Sequence, residues 1–442
     1  MRRFMRVFAI VPVLTCLPAM QLGAQDVTEM LNRMKTMEER IRALEGEVQA
    51  LKAAQTAAAP LTPSTAPADA APQQAAGQNP ERLGGAGPAA GKALNPDISV
   101  IGDFVGAAGN GANRPTQSLQ MHESEVGFQE VIDPYARADF FISFGEQGVE
   151  LEEGYLTFTG LPAGLQVKAG KMRAAFGKVN TLHNHVLPWT DRPLVSQNLL
   201  NGEDGIDDAG LSLSRILPAP KGIFLEGTAQ VFRGDTDNVF RADKRTSLST
   251  VEHLRFYRDI NESTNIDLGG SFARGRSFFG DGWNQLYGAD ATLRWKPLRR
   301  SIYHSFVGRS ELVWARTLLA PVQTGTGLHS PMITPFGYYV SGDYQFARRW
   351  FLGARFDRSQ RGACQPTNPE TTSLCAGDFS PALSPAHLLQ DTGGSLLLTY
   401  WPSEFSQIRG QLRRTHYGEG RYANEVLFQF MFSMGAHGAH PF

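Results

Sequence analysis

The sequence predicts an all-β fold: an antiparallel transmembrane β-barrel of about 16 strands (range 12–18), preceded by a short α-helical coiled coil. Three observations carry this. Residues 94–442 alternate apolar and polar side chains in segments of about ten residues, again and again. Residues 27–51 hold a strict heptad seam. Between the two lies a stretch rich in Ala, Pro, Gln and Gly that cannot bury a core. Composition agrees. The formal charge is -1, from 42 basic and 43 acidic side chains, so there is no basic footprint and no nucleic-acid partner is expected. Past the N-terminus no apolar run approaches the roughly 20 residues of a spanning helix.

The first element, residues 1–24, is an export signal. Arg2, Arg3 and Arg6 precede an apolar run from Val7 to Met20, and Leu22-Gly23-Ala24 ends in small residues. Cys16 suggests a lipoprotein, but Thr15 and the apolar sequence beyond it fit that poorly. Removal of the signal leaves Cys364 and Cys375, a local pair expected to form a disulfide in an oxidising compartment.

Residues 25–53 form the coiled coil. Val27, Met30, Met34, Met37, Ile41, Leu44, Val48 and Leu51 occupy a and d positions. The register places Arg33, Arg40 and Glu47 at g opposite Glu38, Glu45 and Lys52 at e, and every pair is opposite in sign. β-branched residues at a with Leu at d lean toward dimers. Arg33-Met34-x-x-Met37-Glu38 and Arg40-Ile41-x-x-Leu44-Glu45 resemble the Arg-h-x-x-h-Glu motif of short trimeric coils, and on that resemblance the expected state is a homotrimer. Residues 54–93 are the Ala/Pro/Gln-rich linker.

Within 94–442 the candidate strands are 98–106, 124–132, 135–144, 149–159, 164–173, 208–216, 223–232, 251–259, 264–273, 286–296, 305–315, 336–346, 350–358, 393–401, 406–415 and 424–434. With the coil and linker in the periplasm the first strand runs outward. The connections then sort into short periplasmic turns and long outer loops, 107–123, 174–207, 233–250, 316–335 and 359–392. A secreted β-sandwich, the alternative, would use shorter strands. Val426, Phe428, Phe430, Phe432 and Met434 share one face, and steps of two from there reach the terminal Phe442 in phase. A terminal Phe of this kind resembles the signal read by the bacterial outer-membrane barrel-assembly machinery.

Signal, trimer-type coil, spacer and barrel with terminal Phe442 together resemble the trimeric outer-membrane porins that carry an N-terminal periplasmic coiled coil, of which phosphate-selective and dicarboxylate-type porins are examples. Asn95-Pro96-Asp97-Ile98-Ser99-Val100-Ile101-Gly102 and Gly435-Ala436-His437-Gly438-Ala439-His440 look like a poorly characterised bacterial group sometimes labelled zinc-regulated TonB-dependent outer membrane receptors. A plug and about 22 strands do not fit in residues 94–442, so true TonB-dependent transport is not expected. The resemblance implies a channel in the outer membrane, in contact with its lipid, passing small hydrophilic solutes by passive diffusion. An outer-membrane receptor or metal (zinc)-related uptake protein is the alternative, and an outer-membrane barrel enzyme a third. No Gly-x-Ser-x-Gly, His-Glu-x-x-His or phosphate loop is present, so no enzyme is expected.

In the porins that the chain resembles, the third outer loop folds inward as the constriction. Here that loop is 174–207, and His183, His185, Trp189, Asp191 and Arg192 are its candidate constriction residues. Trp189 would form a bulky wall and Asp191 and Arg192 a charged pair beside the path; an exposed surface loop is the alternative. Arg137, Asp139, Lys168, Asp290, Arg294, Glu311, Asp343, Arg355, Arg409 and Arg413 are candidate pore-lining residues. With Arg255, Lys296, Arg309, Glu150, Glu152, Glu226, Asp267 and Asp357 they balance in sign, so only weak charge selectivity is expected. His183-x-His185 and His437-x-x-His440 have ligand spacing, but two histidines complete no structural site. Both pairs therefore read as surface histidines, and neither metal nor cofactor is expected.

Overall fold

The computed structural model describes residues 96–435 apart from 112–115, 147, 280, 319–321, 325–326 and 363–387. It also describes Lys35, Glu39, Arg42 and Gly46, all helical and exposed, which are b and f positions of the heptad. The a/d seam, the linker, Cys364, Cys375, His437, His440 and Phe442 lie outside the described residues. The chain divides into two compact units, 1–78 and 79–442. The second holds the barrel.

Among the described residues sixteen long strands form one closed antiparallel sheet. They are β1 Asp97–Gly109, β2 Leu119–Asp133, β3 Ala136–Gly145, β4 Gly148–Phe158, β5 Leu165–Arg173, β6 Asp207–Leu217, β7 Ile223–Phe232 and β8 Ser249–Asn261, then β9 Thr264–Arg276, β10 Trp283–Trp295, β11 Ser305–Leu318, β12 Phe336–Ala347, β13 Trp350–Gly362, β14 Leu388–Ser403, β15 Ser406–His416 and β16 Tyr422–Gly435. Each pairs with its neighbours in sequence. β1 closes the ring on β16, from Ser99↔Gly435 to Gly109↔Glu425, so no edge is left with unpaired backbone groups. Every expected strand is present. The four longest connections, 174–206, 233–248, 319–335 and 363–387, leave from one end of the barrel.

The alternation has a simple cause. Successive side chains point to opposite faces of a strand, and here the two faces meet different media. Phe140, Leu213, Leu254, Val340, Leu352, Leu396, Leu412 and Phe428 point outward and are exposed. Aromatic pairs mark both rims of that apolar belt: Trp314 stacks on Phe336 at 4.9 Å near the long-loop end, and Trp350 on Tyr400 at 4.5 Å near the other. The inward faces carry Asp267, Asp290, Glu311, Arg355, Arg409 and Arg413, all buried except at a few atoms.

Two β-bulges break the alternation where it matters for the interior. Asp103 pairs with Glu123 while Phe104 pairs with Met121, leaving His122 as the extra residue of β2. Phe141 pairs with Glu153 while Ile142 pairs with Leu151, leaving Glu152 extra in β4. A bulge lets consecutive side chains face the same way. His122 and Glu123 both engage inward groups as a result, and so do Glu152 and Glu153.

Candidate functional site

The connection 174–206 packs against the inward side chains of the barrel wall. Its two ends are stitched together by Asn180, whose Nδ2 donates to the carbonyls of Ala174 (2.9 Å) and Ile206 (3.0 Å) while its Oδ1 accepts from the Ile206 amide (2.7 Å). The chain turns at Gly177 and Gly205, both in the left-handed region with φ of 61° and 69°. A six-residue helix, α1 Leu194–Leu199, packs on β11, β12, β13 and β14.

A loop inside a barrel must find partners for its backbone groups. The wall supplies them. Glu311 accepts from the amides of Lys178 and Val179, Ser271 Oγ from Gly177 (2.9 Å), Gln411 from Thr190 (3.0 Å) and Asp357 from Leu194 (3.1 Å). In the other direction Arg409 donates to the Leu187 carbonyl (3.0 Å) and Arg355 to that of Asp191 (2.8 Å). Apolar contacts complete the fit. Phe176, Val179, Leu187, Trp189, Val195 and Leu200 of the loop share one buried cluster with Phe232, Val251, Leu286, Val313, Tyr339 and Leu397 of the wall.

The five loop candidates separate into three groups. Trp189 is 1% exposed, edge-on to Tyr339 at 5.0 Å, with the Arg355 guanidinium 5.0 Å from its ring centroid. Asp191 and Arg192 do not pair with each other. Asp191 accepts from Arg355 (2.9 Å), Arg413 (2.7 Å) and Gln411 on the wall. Burial alone would raise its carboxyl, but the two guanidiniums outweigh that and hold it below the ordinary carboxylate range. Arg192 turns back into the loop and donates to the carbonyls of Val179 (3.0 Å) and Leu182 (2.6 Å) and to Asn184 (2.9 Å). The chain bends through 188–191, and Asp191 faces the wall while Arg192 faces the loop's own carbonyls.

His183 and His185 are not surface histidines: they are 9% and 5% exposed. His183 Nδ1 lies 2.6 Å from Glu125 and 3.0 Å from Glu152, and its Nε2 lies 3.0 Å from Glu153. Phe141 meets its ring edge-on at 5.2 Å. His185 Nδ1 is 3.7 Å from both Glu123 and Glu125. Arg173 braces the carboxylates, donating from its amide to Glu153 (2.8 Å) and from Nη2 to Glu152 (2.9 Å).

Of the expected lining residues, Glu311, Arg355, Arg409 and Arg413 hold the loop. The rest line the wall below it. Arg137 pairs with Asp139 (2.6 Å) and Arg309 with Asp343 (2.6 Å). Lys168 lies 4.3 Å over the Tyr155 ring, and Arg294 is 3.8 Å from Asp267, which also binds Arg255 and Lys178. Asp290 is 4% exposed, with neither carboxylate oxygen hydrogen-bonded among the described residues.

Sequence reasoning passed over Glu123, Glu125, Glu153 and Arg173: β2 begins at Leu119, earlier than expected, so the expected strand omits Glu123, and the β4 bulge defeats strict alternation at Glu153. One signal for the docked loop was present. Along β11 the inward series runs Arg309, Glu311, Val313, Ala315, changing from charged to apolar toward the long-loop end. Apolar side chains facing a lumen require a cover.

No family model matches this sequence. An uncharacterized protein of Aquifex aeolicus (strain VF5) is 27% identical over 426 residues, covering 82% of this chain and 83% of the relative. The outer membrane channel DcaP of Acinetobacter baumannii superposes with a TM-score of 0.47 at 11% identity, over 80% of this chain and all (100%) of its own. The high-pH structure of Pseudomonas putida OprB superposes with a TM-score of 0.50 at 9% identity, over 78% of this chain and 95% of that one. What this chain shares with OprB is the fold, a closed antiparallel barrel of the porin type.

Proposed function

We propose that this chain is an outer-membrane channel for passive diffusion of small hydrophilic solutes, with the 174–206 loop as its constriction. The observation that carries the reading is the anchoring of that loop to the inward wall by Glu311, Asp357, Arg355, Arg409 and Arg413. A loop held by the wall on several sides narrows whatever path remains. The apolar outer belt with aromatic rims supports an outer-membrane setting. The N-terminal coil belongs on this reading in the periplasm of a homotrimer.

Selectivity by charge is weak in this proposal because many of the interior charges occur as neutralising pairs, Arg137–Asp139, Arg309–Asp343 and Arg355–Asp357 among them. An unpaired charge in a narrow, water-poor passage would impose its sign on the solute, and paired ones largely cancel. Single-channel recording in planar bilayers tests both parts. Deleting 182–201 should raise conductance several-fold, and the wild-type reversal potential in a salt gradient should lie close to zero. Unchanged conductance after the deletion would place the constriction elsewhere. A strongly anionic or cationic reversal potential would refute the cancellation of charges.

A further inference from the structure

We propose that Glu123 and Glu125 of β2, with His183 and His185 of the 174–206 loop, form a binding site for a divalent transition-metal ion that fastens the loop to the wall. One donor atom from each of the four lies within 4.8 Å of the others, and all four residues are buried. A four-coordinate ion with bonds of about 2.0–2.2 Å brings its donors to within about 3.5 Å of one another. The set must therefore close by about an ångström at its widest, which side-chain rotation supplies.

Three further features point to an ion. His185 is 5% exposed, yet its Nδ1 has no hydrogen-bond partner among the described residues and is equidistant, at 3.7 Å, from Glu123 and Glu125. A buried ring nitrogen aimed between two carboxylates is a costly arrangement for a fold alone. With both imidazoles neutral the local charge would be unbalanced. Glu123, Glu125, Glu152 and Glu153 converge, and the Arg173 guanidinium pairs with Glu152 while its backbone amide donates to Glu153. With neutral imidazoles a divalent ion would remove most of the excess. Finally, an outer shell is already in place. His183 turns Nδ1 toward Glu125 and Nε2 toward Glu153 at 3.0 Å, and Glu153 is itself held by the Arg173 amide. A metal-bound imidazole usually gives its second N–H to a carboxylate in this way.

The donor set selects the class of ion. Two imidazoles with two carboxylates suit Zn2+ or Co2+, whereas Mg2+ and Ca2+ favour oxygen-only sites. The inference is independent of conduction: a chain that passes no solute would still bind the ion.

The test uses the full chain, purified in detergent and stripped with a chelator, with Zn2+ as the probe. Titration against a chromophoric competitor should show one tight Zn2+ per chain that excess Mg2+ does not displace. His185→Gln should weaken it by at least about a hundredfold, since loss of an outer-shell partner alone costs about ten- to a hundredfold. Replacing His437 and His440 by Ala should leave it unchanged. Hydrogen exchange across 180–187 should slow when Zn2+ is added to wild type and not when it is added to His185→Gln. The proposal is overturned if His185→Gln binds as wild type does, if the His437/His440 variant loses the ion, or if Mg2+ competes equally. Should His185→Gln not fold, the Co2+ complex of wild type decides. Intense visible absorption from a four-coordinate ion supports the site, and a pale six-coordinate spectrum overturns it.

Discussion

Asp191→Asn should release the loop from the wall without unfolding the barrel. In the wild type this carboxylate sits between Arg355 at 2.9 Å and Arg413 at 2.7 Å and also accepts from Gln411. Asn keeps the shape but loses the charge, and its NH2 presents donors to groups that are donors themselves. Removing one partner of a buried ion pair costs about 3–5 kcal/mol, because a buried charge is left without compensation. Both arginines here keep a second carboxylate, Asp357 for Arg355 at 2.7 Å and Glu425 for Arg413 at 2.6 Å. The lower end, about 3 kcal/mol, is therefore expected. At about 1.4 kcal/mol per tenfold, local opening of the loop should become about a hundredfold more frequent. Hydrogen exchange measured by mass spectrometry reads this directly: amides across 187–200 should exchange faster by that factor, while those of β9 and β10 stay protected. In bilayers the same variant should shift the reversal potential toward anions, because two guanidiniums lose their shared counter-charge. Unchanged exchange across 187–200 would show that Asp191 does not hold the loop and would remove the basis for the anion shift.

Trp189→Ala leaves a cavity beside Tyr339 and should destabilise loop docking by about 3–5 kcal/mol; trypsin cleavage after Lys178 in the assembled barrel should accelerate, and wild-type resistance in the variant would refute the packing argument. Arg192→Met strips the donors from the Val179 and Leu182 carbonyls, at about 1–3 kcal/mol for each buried group left unpaired; it should speed exchange across 179–187 with little change of reversal potential, since this guanidinium donates within the loop. Deleting 25–53 should reduce the trimer fraction in sedimentation, and a chain that is monomeric with the coil intact would refute its assembly role. Mass spectrometry of the mature protein should find Cys364 joined to Cys375, a link worth roughly 3 kcal/mol of unfolded-state constraint in the chain-entropy model, and two free thiols would exclude it.

The sequence by itself determined the barrel. Period-two patterning follows from the barrel: one face of every strand points outward and the other into the interior, so Leu293 and Trp295 alternate with Thr292 and Arg294 whatever the rest of the chain does. Such a pattern is local and survives without any knowledge of which strand lies beside which. It also sorted short turns from long connections, and so identified 174–207 as the segment with length to spare. Only the tertiary structure decided what that segment touches. Asp191 and Arg355 are 164 positions apart, Arg409 and Leu187 are 222, and His183 and Glu125 are 58. No periodicity links such pairs; they meet because the sheet closes on itself and the loop crosses inside it. Polarity cannot separate Asp191 from Arg192 either, since both are charged and adjacent. What separates them is that one side of the backbone faces Arg355 and Arg413 and the other faces the loop's own carbonyls. The His183–His185 cluster depends on the tertiary structure in the same way. A bulge at Glu152 adds a residue without any sequence mark and brings two consecutive carboxylates to His183, whose spacing to His185 said nothing of its surroundings.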